Sequence, residues 1–260
     1  MKTLLIEKPK DHILLVTLNR PEVRNAINID MMHELLNLWE GLKQNPDNIR
    51  CVVLTGTGDK AFCAGADLKA RHNITLEEWR KQHNVLQKAM IAMHDCPIPI
   101  IAAVNGAAFG GGLELTLGSD FAYAAETAMF SQSEVKVGLM PGALGTQNLP
   151  RACGIRRAKE LTFTGEIFSA QQALEWKIVN KVCNPQSLVY EALETAEKIS
   201  ENAPLAVLQA KCSLNVSQHS DIKSGYVFEV EAYNTLLPTH DRVEGIKAFN
   251  EKRKPVFHGK

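Results

Sequence analysis

The chain has 260 residues, 45% of them hydrophobic and 22% charged, with Lys+Arg and Asp+Glu both at 29. That length gives one well-buried core rather than two full domains, and the balanced charge supplies no bulk field toward nucleic acid or an acidic membrane. No apolar run approaches the roughly 20 residues of a bilayer span, so no membrane partner is expected.

In chain order, Leu4–Glu7 and Ile13–Leu18 are short apolar runs around Lys8-Pro9-Lys10-Asp11, the pattern of a hairpin. A helix is expected from Asp30, capped by its carboxylate, with Leu35, Leu38, Trp39 and Leu42 on one face. Cys51–Thr55 reads as a buried strand ending at Gly56. Thr75…Glu78 is a capping box that opens a helix bearing Trp79, His83, Leu86, Met90 and Met93. Pro99–Val104 is a second buried strand, and the alternation of strand and helix predicts an α/β layered core with crossover connections. After Pro150 the signals turn mostly helical, with a second capping box at Ser169…Gln172, and from Ser187 onward only helices and loops are expected. The N-terminal Met1–Glu7 meets charge too early for a secretory signal. The six cysteines form no C-x-x-C pair, which points to reduced thiols in a cytoplasmic protein. The eight histidines lack metal-ligand spacing, and no metal is expected.

Three segments carry candidate chemistry. In Ala61–Leu68 a central Gly65 among small residues allows a tight turn with open N–H groups, although a plain strand-to-helix turn would use the same residues. Gly110-Gly111-Gly112 then follows a buried strand and precedes an apolar helical segment, which would aim free N–H groups at an anion or a developing oxyanion. It is neither a P-loop nor a dinucleotide fingerprint, because the Gly-Lys-Ser/Thr and G-x-G-x-x-G spacings are absent. Glu114 follows the glycines between Leu113 and Leu115, where a carboxylate must be paired, hydrogen-bonded or functional. Helix-end amides that simply satisfy it are the competing explanation. In the third segment, Glu134 precedes Pro141-Gly142. Alone it reads as a surface charge, but beside an oxyanion site the two carboxylates suggest one that activates water and one that delivers a proton.

Taken in order, these pieces resemble the crotonase (enoyl-CoA hydratase/isomerase) superfamily. The resemblance runs from Leu18-Asn19-Arg20-Pro21 through Phe62–Asp67, Gly110–Leu115, Pro141-Gly142, Gly145-Thr146-Gln147 and Leu149-Pro150-Arg151 to Glu244-Gly245 and Glu251-Lys252-Arg253. It implies a spiral of ββα units over residues 1–190 holding the acyl-CoA and catalytic site, and a helical C-terminal region over 191–260 used for trimerisation, with a homotrimer or homohexamer as the assembly. It implies that the Ala66 and Gly111 N–H groups form an oxyanion hole and that Glu114 and Glu134 hold a water over the enoyl double bond, with Glu114 as base and Glu134 as acid. Gln132 and Gly142 would orient the pair, while Arg24, Ala26, Ala64, Asp67, Leu68 and Lys69 would contact the acyl-CoA, joined by Phe249 and Lys252 of a neighbouring subunit. No dissociable cofactor is implied, since CoA arrives as part of the substrate.

Two departures stand out. Leu144 and Asn148 occupy positions where many hydratases carry glycine and arginine. Leu144 is expected near the Glu134 side of the pocket, narrowing it or shifting the loop. Gly65–Lys69, Pro238-Thr239 and the Asp241–Arg253 stretch look most like methylglutaconyl-CoA hydratases. RNA binding, linked to a lysine-rich helix in some of that branch, is not carried over, because the Thr75–His94 helix has only Arg80, Lys81 and Lys88 as cations. Enoyl-CoA hydration is the resulting expectation. Its rivals are double-bond isomerisation, which typically needs one acid, and a non-catalytic acyl-CoA-binding homologue, which would need neither glutamate.

Overall fold

The computed structural model describes residues 1–260. Its first hairpin pairs β1 (Leu4–Lys10) and β2 (Ile13–Leu18) antiparallel. The reversal is shorter than the sequence suggests, because Lys8–Lys10 stay in the strand and the chain turns at Asp11-His12, with His12 left-handed at φ 65°. Helix α1 spans Ile29–Gln44 and buries Leu35, Leu38, Trp39 and Leu42. Its cap is Asn28 rather than Asp30: the Asn28 side chain accepts the Met31 N–H at 3.0 Å. Asp30 lies in the first turn, where its charge faces the positive end of the helix dipole.

Three ββα turns follow. They are β3 (Cys51–Gly56), β4 (Ala61–Cys63) and α2 (Leu76–His94); β5 (Ile100–Val104), β6 (Ala107–Phe109) and α3 (Gly111–Gly118); and β7 (Phe121–Ala125), β8 (Met129–Ser131) and α4 (Gly145–Cys153). The chain continues through α5 (Ile155–Thr164), β9 (Phe168–Ser169), α6 (Ala170–Glu175), β10 (Lys181–Cys183) and α7 (Leu188–Ser200). It closes with α8 (Pro204–Ser217), α9 (Ile222–Asn234) and α10 (His240–Glu251). The first strand of each turn enters a six-stranded sheet of order β1-β2-β3-β5-β7-β10, and the second enters a four-stranded sheet of order β4-β6-β8-β9. This is the expected α/β spiral of ββα units.

Every residue of β3 and β5 is buried, which is why both read as continuous apolar runs: parallel strands covered on both faces show no alternation. Thr75 and Glu78 form the expected capping box, with the Thr75 hydroxyl accepting the Glu78 N–H at 3.1 Å and Glu78 accepting the Thr75 N–H at 3.0 Å. The face of α2 then divides. Leu86, Met90 and Met93 enter the core, while Trp79 and His83 stay half-buried toward an open cavity. Helix α7 runs through the expected division at residue 190 and packs Leu188, Ala192 and Ala196 into the core. No helix is long and apolar enough to cross a membrane.

Candidate active site

The sheets bring β4 and β6 side by side in parallel, so the turns after both strands meet at one end. After β6, Gly110 takes φ 51° and ψ −117°, a conformation outside the ordinary range of a side-chain-bearing residue, and Glu114 N–H bonds the Gly110 carbonyl at 2.9 Å. Gly112 packs so tightly on β4 that a Cβ would lie 2.0 Å from the Cys63 carbonyl oxygen. After β4, Ile27 bridges Ala66 in parallel: Ile27 N–H donates to Gly65 at 2.8 Å and Asp67 N–H donates to Ile27 at 3.0 Å. Bonding residues 65 and 67 in this way turns the Ala66 N–H to the opposite side. The Gly111 N–H, in the first turn of α3, has no intrahelical acceptor. The two amides are neighbours, since a Cβ on Gly111 would stand 3.8 Å from Ala66 N.

Glu114, on α3, is only 3% exposed. Its Oε1 accepts the Ala143 N–H at 2.7 Å and the Gly145 N–H at 2.9 Å, while Oε2 makes no hydrogen bond. Burial pushes its pKa up to about 7, opposed by the Ala143 amide and reinforced by the nearby Glu134 charge. Glu134 opens a 3-10 turn, Glu134–Val137. Its Oε1 accepts the Gln132 Nε2–H at 2.8 Å, and its Oε2 is shielded without a partner, as is the Gln132 Oε1. Burial raises this carboxyl too, with the Gln132 hydrogen bond opposing. Both carboxyls are biased toward the protonated form, the combination by which burial marks acid–base groups.

A cavity of about 470 Å³ joins these groups, lined by Ala64, Ala66, Gly111, Glu114 and Glu134 on one side and by Arg71, Trp79, His83 and Leu86 on the other. Leu68 and Gly142 also line it; the latter lies against His83, whose Cε1 would be 2.7 Å from a Cβ there. Gln132 is fully buried behind Glu134. Other expected contacts fall elsewhere. Asp67 does not line the cavity: its carboxylate pairs with Arg20 at 3.0 Å and accepts the Ala70 N–H at 3.1 Å, fastening the loop. Arg24 and Lys69 are exposed outside the cavity, the Arg24 carbonyl accepting the Ala64 N–H at 3.0 Å. Ala26 is buried, its carbonyl held by Arg20 at 2.6 Å. Phe249 and Lys252, at the end of α10, are exposed and take no part in this chain's own cavity.

Leu144 departs from its expected place. It does not line the cavity but packs against the core, left-handed at φ 72°. Its loop serves Glu114 through the amides on either side of it, not Glu134. Arg71 does not stand out in the sequence at all: it is 7% exposed and faces the cavity, and its only local signal is a position four residues after Asp67.

A glutamate pair and two neighbouring free amides at the ends of paired β-turns in a ββα spiral define the class. A sequence profile of the family described as Enoyl-CoA hydratase/isomerase matches residues 8–260, and the chain belongs to that family. It is similar to Short-chain-enoyl-CoA hydratase of Clostridium acetobutylicum, 38% identical over 254 residues that cover 98% of this chain and 97% of that one. Crotonyl-CoA hydratase of Syntrophomonas wolfei is 36% identical over 259 residues, covering 100% of this chain and 99% of its own length. The crystal structure of enoyl-CoA hydratase from Bacillus anthracis superposes with a TM-score of 0.97 at 40% identity, covering 99% of this chain and 100% of that chain.

Proposed function

We propose that the protein is an enoyl-CoA hydratase that adds water across the α,β double bond of a 2-enoyl-CoA thioester. The observation that carries this reading is the pair itself: buried Glu114 and half-buried Glu134 line one cavity, and each has an oxygen without a hydrogen-bond partner. The thioester carbonyl is gripped by the Ala66 and Gly111 N–H groups, which stabilise the enolate oxygen as the β-carbon is attacked. Preorganised donors of this kind contribute roughly 3–4 kcal/mol each to the transition state.

Glu114 acts as base. Two amides already favour its ionised form, and its pKa of about 7 keeps a carboxylate available near neutrality. It takes a proton from water as the water oxygen bonds the β-carbon. Glu134, biased toward the neutral acid, gives its proton to the α-carbon, which yields a 3-hydroxyacyl-CoA. The proton count then closes by exchange of one proton from Glu114 back to Glu134 through solvent. Gln132 positions Glu134 throughout.

The adenine and phosphates of CoA lie near the exposed Arg24 and Lys69 and along Leu68, with Phe249 and Lys252 supplied by a second copy of the chain. A trimer-based assembly is supported by the apolar side chains that α8–α10 leave uncovered. The absence of any disulfide among the six cysteines is consistent with a cytoplasmic location.

The test is the loss of conjugated enoyl-thioester absorbance with crotonyl-CoA and a panel of longer and branched enoyl-CoAs. Wild type hydrates at least one of these, and Glu114→Gln and Glu134→Gln each lose about 10²-fold or more in kcat. A protein that binds these thioesters without hydrating any of them refutes the reading. Double-bond migration that survives in one of the two variants would favour isomerisation instead.

A further inference from the structure

The direction of the Ala66 amide depends on a slender contact. Ile27 and Ala66 form an isolated bridge outside both sheets, made by the Ile27 N–H on Gly65 and the Asp67 N–H on Ile27. The segment that brings Ile27 there is strained, since Arg24 and Asn25 are both left-handed at φ 56°, a conformation that disfavours residues with a Cβ. Asn25, fully buried, braces this turn: its Nδ2 donates to the Thr57 and Ala61 carbonyls at 3.0 and 2.9 Å, and its Oδ1 accepts the Arg20 N–H at 2.9 Å. Arg20 then ties the segment to the Ala66 loop. Its Nη1 donates to the Ala26 carbonyl at 2.6 Å and to Asp67 Oδ2 at 3.0 Å, while Asp67 Oδ1 accepts the Ala70 N–H at 3.1 Å. One nitrogen thus joins the residue before Ile27 to the residue after Ala66. The two side chains are only 17% and 11% exposed, which shields the pair from competing water. Burial opposes ionisation of Asp67, but the Ala70 amide and Arg20 outweigh it and hold the carboxyl below its usual range. Neither Arg20 nor Asp67 lines the cavity.

We propose that Arg20 is a positioning residue: with Asp67 it clamps the two segments that meet at the Ile27–Ala66 bridge, and so keeps the Ala66 N–H aimed at the thioester oxygen. This rests on the hydratase reading above. The clamp touches no substrate atom and acts through the backbone of Ala66. An amide that drifts from its line loses most where the oxygen carries most charge, in the enolate-like transition state, and less in the bound thioester. Loss of the clamp therefore falls on kcat more than on KM.

The experiment combines hydration kinetics on crotonyl-CoA with infrared difference spectra of bound butanoyl-CoA, isotope-labelled at the thioester carbonyl. The saturated thioester cannot be hydrated, so its carbonyl stretch reads the oxyanion amides without turnover. Arg20→Gln is expected to lower kcat about 10–100-fold while KM moves by no more than about threefold. In wild type the bound stretch lies below that of free butanoyl-CoA, and Arg20→Gln returns at least about half of that shift as the Ala66 hydrogen bond weakens. Arg20→Lys, which keeps a charged donor for both acceptors, recovers part of both readings. Combining Arg20→Gln with Asp67→Asn should cost no more than about threefold beyond the worse single variant, as for two groups that act as one. Where Arg20→Gln fails to fold by circular dichroism, Asp67→Asn, which keeps an oxygen for the Ala70 amide, decides by the same readings. A loss carried by KM alone, an unaltered stretch in the variants, or fully additive losses overturns the proposal. If no enoyl-CoA is hydrated but the stretch still depends on Arg20, the hydratase reading falls and the clamp stands. Hydration with a stretch indifferent to Arg20 leaves the hydratase standing and removes the clamp.

Discussion

The spiral and the last three helices are held in different ways. A single cluster of 52 buried apolar residues runs from Leu4 to Ala196 and includes Leu113 and Leu115 on either side of Glu114. Beyond it, α8 has no buried residue, α9 has only Ala232, and α10 has Asp241 and Ala248. Polar fastenings do the joining there: Arg50 donates to the Ser200 and Phe257 carbonyls at 2.9 and 2.7 Å, and Asp241 accepts the His258 and Gly259 N–H groups at 2.8 Å. Meanwhile Leu214, Ile222, Tyr226, Val227, Tyr233, Ile246 and Phe249 are exposed. The first region holds Glu114 and the neighbouring Ala66 and Gly111 amides in place through its own tight interior. The second presents the kind of uncovered apolar area that marks an interaction surface.

Paired glycine substitutions break the comparison most sharply. Gly112→Ala drives a methyl into the Cys63 carbonyl and is expected to destabilise by about 3 kcal/mol or more in urea titration. Gly245→Ala, on α10, meets nothing closer than Phe257 at 3.5 Å, so it should stabilise by about 0.5–1 kcal/mol through helix propensity and the unfolded chain. Equal effects at the two sites would mean that the C-terminal helices are packed as tightly as the spiral.

Glu114 offers a second handle, through pH. Its folded pKa of about 7 exceeds the ordinary value of 4.5, so the unfolded chain releases this proton first as pH rises. The contribution is fully favourable below about pH 4.5 and lost by pH 7, a swing of up to about 3 kcal/mol. Glu114→Gln should therefore be more stable than wild type at pH 8 by about 1–3 kcal/mol, with a smaller difference at pH 5. A difference independent of pH would show that the carboxyl is not held near 7.

The assembly comes next. Phe249→Glu and Tyr226→Glu should shift sedimentation toward smaller species while leaving the circular dichroism spectrum unchanged. An unaltered sedimentation profile would rule out these faces as the contact.

The smallest effect is expected at Leu144. Leu144→Gly relieves a left-handed backbone worth about 1–2 kcal/mol and forfeits a similar amount of apolar packing, so the net change in stability should stay near 1 kcal/mol. Because the side chain is outside the cavity, relative rates on short and long acyl chains should not change.

Much of the fold follows from short-range pattern. The two capping boxes, the buried runs of β3 and β5 and the apolar face of α1 lie where spacing puts them, because caps and periodicity involve residues a few positions apart. The helix start at Asn28 differs because Asn28 and Asp30 are both competent caps, and the entry of the chain from the Ile27–Ala66 bridge selects the earlier one. For the site, Glu114 beside three glycines and Glu134 before Pro141-Gly142 stand out by chemistry alone. Asp67 does not sort itself in that way, since a carboxylate in a loop looks the same whether it faces a ligand or Arg20.

By itself, the sequence determined the alternating strand–helix order, the glycine-rich entry to α3 and the identity of the two acids, because each depends on residues near one another in the chain. Tertiary structure alone decided that the Ala143 and Gly145 amides clasp Glu114, that Leu144 turns into the core, and that Arg71 is enclosed opposite the acids. Those outcomes depend on the registers of two sheets and on the loops their strand ends bring together. No local spacing encodes which backbone N–H groups will meet a carboxyl from another turn of the spiral, or which long cation will be enclosed opposite it.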